Sequence, residues 1–213
     1  MEALHVLLVE DDAAIRAMLR GALQLAGYQV SEAGQRQQAW QYLQHPPEAP
    51  ADIVLLDLGL PPATHDSSEG IKLLRQIMLD CLDLKVIVLT GQDQESAALE
   101  AIKEGAFDFL AKPASSVQIL QALQRAALFL RKERELQMAG VTRIAINANA
   151  GEGLKNVRDD AEEKLVRQVL KETGFNLHQS ARKLGVKREN LYYFLKKFGI
   201  QRDDGASAPP EQS

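Results

Sequence analysis

The sequence predicts an α/β protein in which a doubly wound, five-stranded parallel sheet is followed by a small all-α helix-turn-helix domain. Three observations carry this expectation. Five short apolar runs alternate with amphipathic stretches over about the first 125 residues. The central run, Ile53-Val54-Leu55-Leu56, has no polar interruption, as in a strand buried on both faces. The charge is also split: residues 1–130 carry 9 Lys and Arg against 17 Asp and Glu, whereas residues 155–202 carry 12 against 6. An acidic front and a basic rear point to two domains, the rear one facing an anionic partner.

The elements follow in order. His5-Val6-Leu7-Leu8-Val9 reads as a first buried strand, ending in Glu10-Asp11-Asp12. From Ala13 to Ala26, Ile15, Met18, Leu19, Ala22 and Leu23 recur at helical spacing, and Gly27 stops the helix. Tyr28 to Ala33 is a short strand, and Gln35 to Gln44 a helix closed by Pro46-Pro47. The central strand runs from Ala51 to Asp57, before Leu58-Gly59-Leu60-Pro61-Pro62. Ser67-Ser68 can cap a helix through Asp80. Lys85 to Thr90 is a fourth strand, Glu95 to Glu104 a helix stopped by Gly105, and Phe107 to Leu110 a fifth strand. Ser115 to about Gln137 is a long helix, with Leu120, Leu123, Ala127 and Leu130 spaced either for a coiled coil or for packing on its own sheet.

Residues 131–158 read as a helix extension and linker, with a stray strand over 141–146 as the alternative. Residues 159–201 hold three helices, with Asp159-Asp160 at the first helix start, Gly174 as its stop, Asn176 as the second cap and Gly185 at a turn. The tail 202–213 reads as disordered. No run approaches membrane-span length, no secretory signal is expected, and the lone Cys81 fits a reducing cytoplasm.

In open parallel sheets, ligands bind outside the carboxyl ends of the strands. A strand order of 2-1-3-4-5 would set the first strand beside the third, so that Asp11, Asp12 and Asp57 converge. Three carboxylates in one cleft repel one another, and hard oxygen donors with room for water suit Mg²⁺. Thr90 and Lys112 end the fourth strand and follow the fifth, on the same rim. A metal cage, a free carboxylate, a hydroxyl and an ammonium together suit phosphoryl transfer to Asp57.

Glu10-Asp11-Asp12, Asp57, Thr90, Phe109 and Lys112-Pro113, taken together, resemble the receiver domain of two-component response regulators over residues 4 to about 130. The resemblance implies a flavodoxin-like sheet in a receiver over residues 1–130, with Asp57 as phosphoacceptor. It further implies Mg²⁺ held by Asp11, Asp12, Asp57 and the backbone carbonyl of Gly59, with Asp12 the direct ligand. Thr90 would move toward the phosphoryl group, and Phe109 would follow it inward. A sensor histidine kinase or phosphotransfer protein is then the donor. Gly70 lies 13 residues after Asp57, about five more than the resemblance implies. The loop from Pro62 to Glu69 therefore reads as a longer solvated connection, with altered kinase docking or aspartyl-phosphate lifetime as the sharper alternative.

In the basic segment, Ala181 lets two helices approach, Leu184, Val186 and Leu191 fill their corner, and Gly185 makes the turn, which is helix-turn-helix grammar. Lys187, Arg188 and Asn190 would face the major groove of double-stranded DNA, with Tyr192 on the same helix; Arg182, Lys196 and Lys197 would meet phosphates. Asn176, Ala181, Leu184-Gly185-Val186, Arg188, Leu191-Tyr192 and Leu195 resemble the Fis-type DNA-binding domain of nitrogen-regulator-class activators. Tyr193 and Phe194 depart from it, standing where basic residues are common. The ATPase of that class is missing between the two domains, since no Gly-x-x-x-x-Gly-Lys-Ser/Thr stretch occurs in the chain. The resulting expectation is a cytoplasmic, non-enzymatic transcription regulator that uses Mg²⁺ and forms a homodimer when phosphorylated. Two alternatives are a signalling adaptor whose helical tail binds protein, and a hydrolase with an aspartyl intermediate. The hydrolase is disfavoured because Gly59 stands where a second acid would be needed.

Overall fold

Strands β1 (His5–Val9), β3 (Ile53–Asp57) and β4 (Lys85–Thr90) form from the three most apolar runs, and every residue of β1 and β3 is buried. The more polar β2 (Gln29–Ala33) and β5 (Asp108–Ala111) take the edges. All pairings are parallel and the order is β2-β1-β3-β4-β5, as the sequence predicts. The computed structural model describes residues 3–47, 49–62, 66–80, 84–91, 95–139, 141 and 153–201. The expected linker residues 142–152, the strand considered over 141–146 beyond its first residue, Cys81, and the tail 202–213 lie outside them.

Side-chain alternation along the strands builds two cores, one on each face. Leu7, Val9, Val54 and Leu56 pack with α3 (Ser68–Asp80), α4 (Glu95–Lys103) and Ala39 of α2 (Arg36–Gln44). Val6, Leu8, Ile53, Leu55, Ile87 and Leu89 pack with α1 (Ala13–Leu25) and α5 (Ser116–Met138). On α5 the inward residues are Ile119, Leu123, Ala126 and Leu130. Packing on its own sheet therefore accounts for the apolar spacing of that helix. Ser115 caps it reciprocally with Gln118.

Two local devices shape the functional end of the sheet. Leu58 and Leu60 are fully buried and anchor the segment leaving β3. Above them, α3 comes so close that a Cβ on Gly70 would lie 2.4 Å from the Leu58 Cα and 2.7 Å from its carbonyl oxygen. At the helix start the Ser67 carbonyl accepts from the Ile71 amide at 2.9 Å, which puts a serine at the N-cap position as expected, and Asp66 Oδ1 accepts from the Ser68 amide at 3.0 Å. At the opposite end of the sheet, the last turns of α5 are clamped. Arg134 pairs with Asp52, just before β3, and Glu133 lies 2.6 Å from Lys85 Nζ at the start of β4.

The chain divides into two units, Met1–Arg143 and Ile144–Ser213. The second contains α6 (Gly153–Glu172), α7 (Leu177–Lys183) and α8 (Arg188–Lys197). Helix α6 begins six residues before Asp159, where the sequence placed its start. Asp159 and Asp160 are interior residues engaged by side chains instead: Asp160 pairs with Lys164 at 2.9 Å, one turn on, and Asp159 with Lys197 at 2.7 Å. Gly174 (φ 58°) and Phe175 (φ 63°) turn the chain back in left-handed conformation, and the Phe175 ring packs onto the local core. That core comprises Val166, Leu170, Ala181, Leu191 and Ile200, with Leu184, Val186, Phe194 and Phe198 packed against it. The corner expected from Ala181, Leu184, Val186 and Leu191 is present. Leu191 is 0% exposed. Leu191→Ala is therefore expected to cost this unit about 3 kcal/mol, read as a shift of its denaturant midpoint.

Candidate functional site

The carboxyl ends of β1, β3 and β4 and the residue after β5 converge on one acidic pocket. Asp57, the last residue of β3, is 6% exposed. Its Oδ2 lies 2.9 Å from Lys112 Nζ, and its Oδ1 accepts from the Gly59 amide at 3.2 Å. The carboxylate is thus held from both sides. Lys112 also reaches Glu10 Oε2 at 2.8 Å, so one ammonium bridges two buried acids. Glu10 is 1% exposed, and burial pushes its carboxyl above the usual carboxylate range, more than the Lys112 hydrogen bond lowers it. Burial also disfavours the Lys112 ammonium, but its bonds to Glu10 and Asp57 outweigh this and raise its pKa.

Glu10, Asp11 and Asp57 each place a carboxylate oxygen within 4.8 Å of the others. This hard-oxygen set fits a divalent cation such as Mg²⁺. It corrects the expected set at one position. Asp12, expected as the direct ligand, is the N-cap of α1: its Oδ1 accepts from Ala14 N at 2.7 Å and Ile15 N at 3.0 Å. The Ile15 and Ala14 amides hold its carboxyl below the usual range. Of three successive acids, the one beside the helix serves the helix, and the two nearer the strand face Asp57. The preference of Asp for N-caps was a signal for this in the sequence.

Arg16 also escaped the sequence reading. Its Nη1 donates to the carbonyls of Glu10 at 2.6 Å and Asp11 at 3.1 Å, and its Nε lies 3.5 Å from Glu32 of β2. A guanidinium one turn into α1 thereby fixes the backbone that carries the acids. Thr90 ends β4 one residue beyond Leu89, the partner of Asp57 across the ladder. It is 3% exposed, and its carbonyl accepts from the Lys112 amide at 2.6 Å. Phe109 on β5 is 45% exposed and points outward.

In the helical unit, Asn176 caps α7 through the Gln179 amide, and the turn at Gly185 (φ 67°) aims α8. Arg182, Lys187, Arg188, Asn190, Tyr192 and Lys196 are exposed. No carboxylate pairs with any of the four cations in that set among the described residues. Lys197, expected at a DNA phosphate, is already engaged: Asp159 and Glu162 lie 2.7 Å and 3.0 Å from its Nζ, and the hydrogen bonds it donates to both raise its pKa. Its visible role is to tie α8 to α6. Phe194, standing where a basic residue was expected, stacks on Phe198 and joins the core.

A five-stranded sheet of this order, with an acid pocket and a bridging lysine at its carboxyl edge, defines a receiver; the three-helix unit that follows it in the chain defines a helix-turn-helix module. The family model described as the response regulator receiver domain matches residues 6–124. The one described as bacterial regulatory protein, Fis family, matches 157–198. The chain belongs to the response regulators of two-component systems, with a receiver followed by a Fis-type helix-turn-helix.

It is 33% identical over 123 residues to the chemotaxis protein CheY of Thermotoga maritima, which spans 58% of this chain and 97% of that protein. It is 31% identical over 166 residues to the C4-dicarboxylate transport transcriptional regulatory protein DctD of Rhizobium meliloti, covering 78% of this chain and 34% of that one. The chain thus spans about a third of the length of that regulator. Among solved structures, the receiver domain of NtrX from Brucella abortus is 29% identical with a TM-score of 0.51, covering 57% of this chain and 96% of that one. A response regulator receiver domain protein from Clostridium thermocellum is 25% identical with a TM-score of 0.55, covering 62% and 98%. No ATPase motif separates the two domains, and no helix among the described residues is long and apolar enough to cross a membrane.

Proposed function

We propose that the protein is a cytoplasmic, phosphorylation-dependent DNA-binding transcription regulator. The observation that carries the reading is the Asp57 carboxylate, buried and gripped by Lys112 beside Glu10 and Asp11, in a chain that also bears a helix-turn-helix. Glu10, Asp11, Asp57 and the Gly59 carbonyl would hold Mg²⁺, which when bound supplies positive charge against the phosphoryl oxygens. Lys112 and the Gly59 amide fix the plane of the Asp57 carboxylate for in-line attack. An Asp57 oxygen forms the new O–P bond as the N–P bond of a kinase or phosphotransfer phosphohistidine breaks. The imidazole leaves with the bonding electrons and takes up a proton. Hydrolysis reverses the modification, with water supplying the oxygen that displaces Asp57 from phosphorus.

Once formed, the aspartyl phosphate draws the Thr90 hydroxyl and the Lys112 ammonium to its oxygens, and Phe109 gives up its exposed position. The receiver face altered in this way pairs two chains. Two tethered modules then engage two half-sites with higher effective concentration than one. Arg188, Lys187 and Asn190 read bases, and Arg182 and Lys196 meet phosphates.

The test is incubation with a small acyl phosphate and Mg²⁺, followed by DNA selection from a random pool. Wild type is expected to take up one hydroxylamine-labile phosphoryl group and to enrich one sequence more strongly in that state. Asp57→Ala is expected to do neither. Recovery of no preferred sequence in either state, or a tail interaction insensitive to salt, would favour a protein-binding adaptor, since DNA binding must weaken with salt. The same material tests the metal set. Asp11→Asn is expected to lower Mg²⁺ affinity on the order of tenfold or more. Asp12→Asn, which can still cap α1, should leave that affinity nearly unchanged, as read by fluorescence or calorimetric titration.

A further inference from the structure

Arg188 opens α8, and Tyr192 lies one turn later on the same exposed face. Arg188 Nη2 donates to Tyr192 Oη at 3.1 Å, and its guanidinium carbon stands 5.7 Å from the centre of the Tyr192 ring. The guanidinium is therefore held by a hydrogen bond to the phenol oxygen and by a cation–π contact with the same ring. No carboxylate competes for it among the described residues, unlike Lys183, which pairs with Glu172, and Lys197, which pairs with Asp159. An arginine alone on a surface helix samples many rotamers and loses that freedom on binding. This one is restrained before any partner arrives.

We propose that Tyr192 is the positioning residue for Arg188, setting the guanidinium in advance for the edge of a base pair in the major groove. The inference rests on the DNA-binding reading and deepens it. With one N–H of Nη2 committed to Tyr192, a parallel pair of N–H bonds remains on the planar group. That pair matches the O6 and N7 acceptors of guanine. The hydroxyl of Tyr192 accepts from Arg188, so its own proton points elsewhere and the ring need not touch a base. Tyr192 thus acts on sequence preference through Arg188 and adds no readout of its own.

The experiment uses the full chain, phosphorylated with an acyl phosphate and Mg²⁺, and compares wild type, Arg188→Lys, Tyr192→Phe and the double variant. Binding is measured on the selected duplex and on duplexes changed at one base pair at a time, across a salt series. Arg188→Lys defines which base pair Arg188 reads. Tyr192→Phe keeps the ring and removes the acceptor, so the fold of the module is preserved. It is expected to lose about fivefold to tenfold of the preference at that same base pair, to leave other positions alone and to keep the salt slope. In the Arg188→Lys background it should have no further effect, because the two act as a unit. A uniform loss with a shallower salt slope would make Tyr192 a phosphate contact and overturn the proposal. Unchanged preference in Tyr192→Phe, or effects that simply add in the double variant, would also overturn it. Wild type that selects no sequence would overturn the DNA-binding reading itself and this assignment with it, a failure distinguishable from the others because it appears before any substitution.

Discussion

Replacing Lys112 with methionine is expected to destabilise the receiver by about 2 kcal/mol and to make its stability fall as pH rises. Lys112 is the only protein cation shown within bonding distance of Asp57, and it bridges Asp57 to Glu10 among the described residues. Breaking a buried ion pair costs about 3–5 kcal/mol, because the surviving charge stays buried. The Lys112 side chain retains 28% exposure, so solvent screens part of that loss and the smaller figure applies. The pH dependence follows from Glu10. Burial already raises its carboxyl above the ordinary 4.5, and loss of Lys112 removes a hydrogen bond that lowers it. Between the unfolded and folded values, the native state then holds a proton that the unfolded chain has released. Stability therefore declines as pH rises through that window. Urea midpoints for the variant should be higher at about pH 5 than at about pH 8, relative to wild type. Millimolar Mg²⁺ should restore part of the difference at the higher pH. A variant as stable as wild type at the higher pH without Mg²⁺ would refute the bridging role.

Gly70→Ala is expected to cost about 3 kcal/mol, although it adds a single methyl group. The new Cβ would meet the backbone of Leu58 at 2.4 Å and 2.7 Å. Moving the Leu58 Cδ2, which the Cβ would also meet at 2.8 Å, would not relieve the clash with these backbone atoms. Leu58 directly follows Asp57, its own side chain is 1% exposed, and its amide donates to the Leu89 carbonyl at 3.2 Å. Either α3 lifts off Leu58 and opens the core, or the end of β3 shifts and takes Asp57 with it. Thermal melting of the receiver and the rate of acyl-phosphate uptake should therefore fall together. Loss of stability with an unaltered uptake rate would show that the helix yields and the strand end does not.

The strands were legible in the sequence because burial on both faces leaves long apolar runs, and the alternation within them sorts side chains between two cores without further information. The order of the strands followed from the limited set of crossovers that such a pattern permits. Glu10 and Asp12 were confused because three adjacent acids share one chemistry. Only the backbone direction at the end of β1 decides which of them faces Asp57 and which turns to the amides of α1. Arg16 was invisible for a related reason, since it acts through backbone carbonyls, which carry no signature in a sequence. The start of α6 was misplaced because Asp159-Asp160 looks like a helix N-terminus. Here those acids meet Lys197 and Lys164, and the first of those contacts is 38 residues away. The pairing of Lys197 itself was hidden for the same reason, since Asp159 and Glu162 lie 38 and 35 residues before it.

The clamp at the far end of the sheet has a mechanical consequence. Arg134 and Glu133 fasten the last turns of α5 to Asp52, just before β3, and to Lys85, the first residue of β4. The same two strands finish at Asp57 and Thr90. Each is thus a strut with reactive groups at one tip and an anchor for the outgoing helix at the other. Past that anchor only Glu135 to Met138 remain of α5, so the direction in which that helix ends is set by the same two strands that carry Asp57 and Thr90.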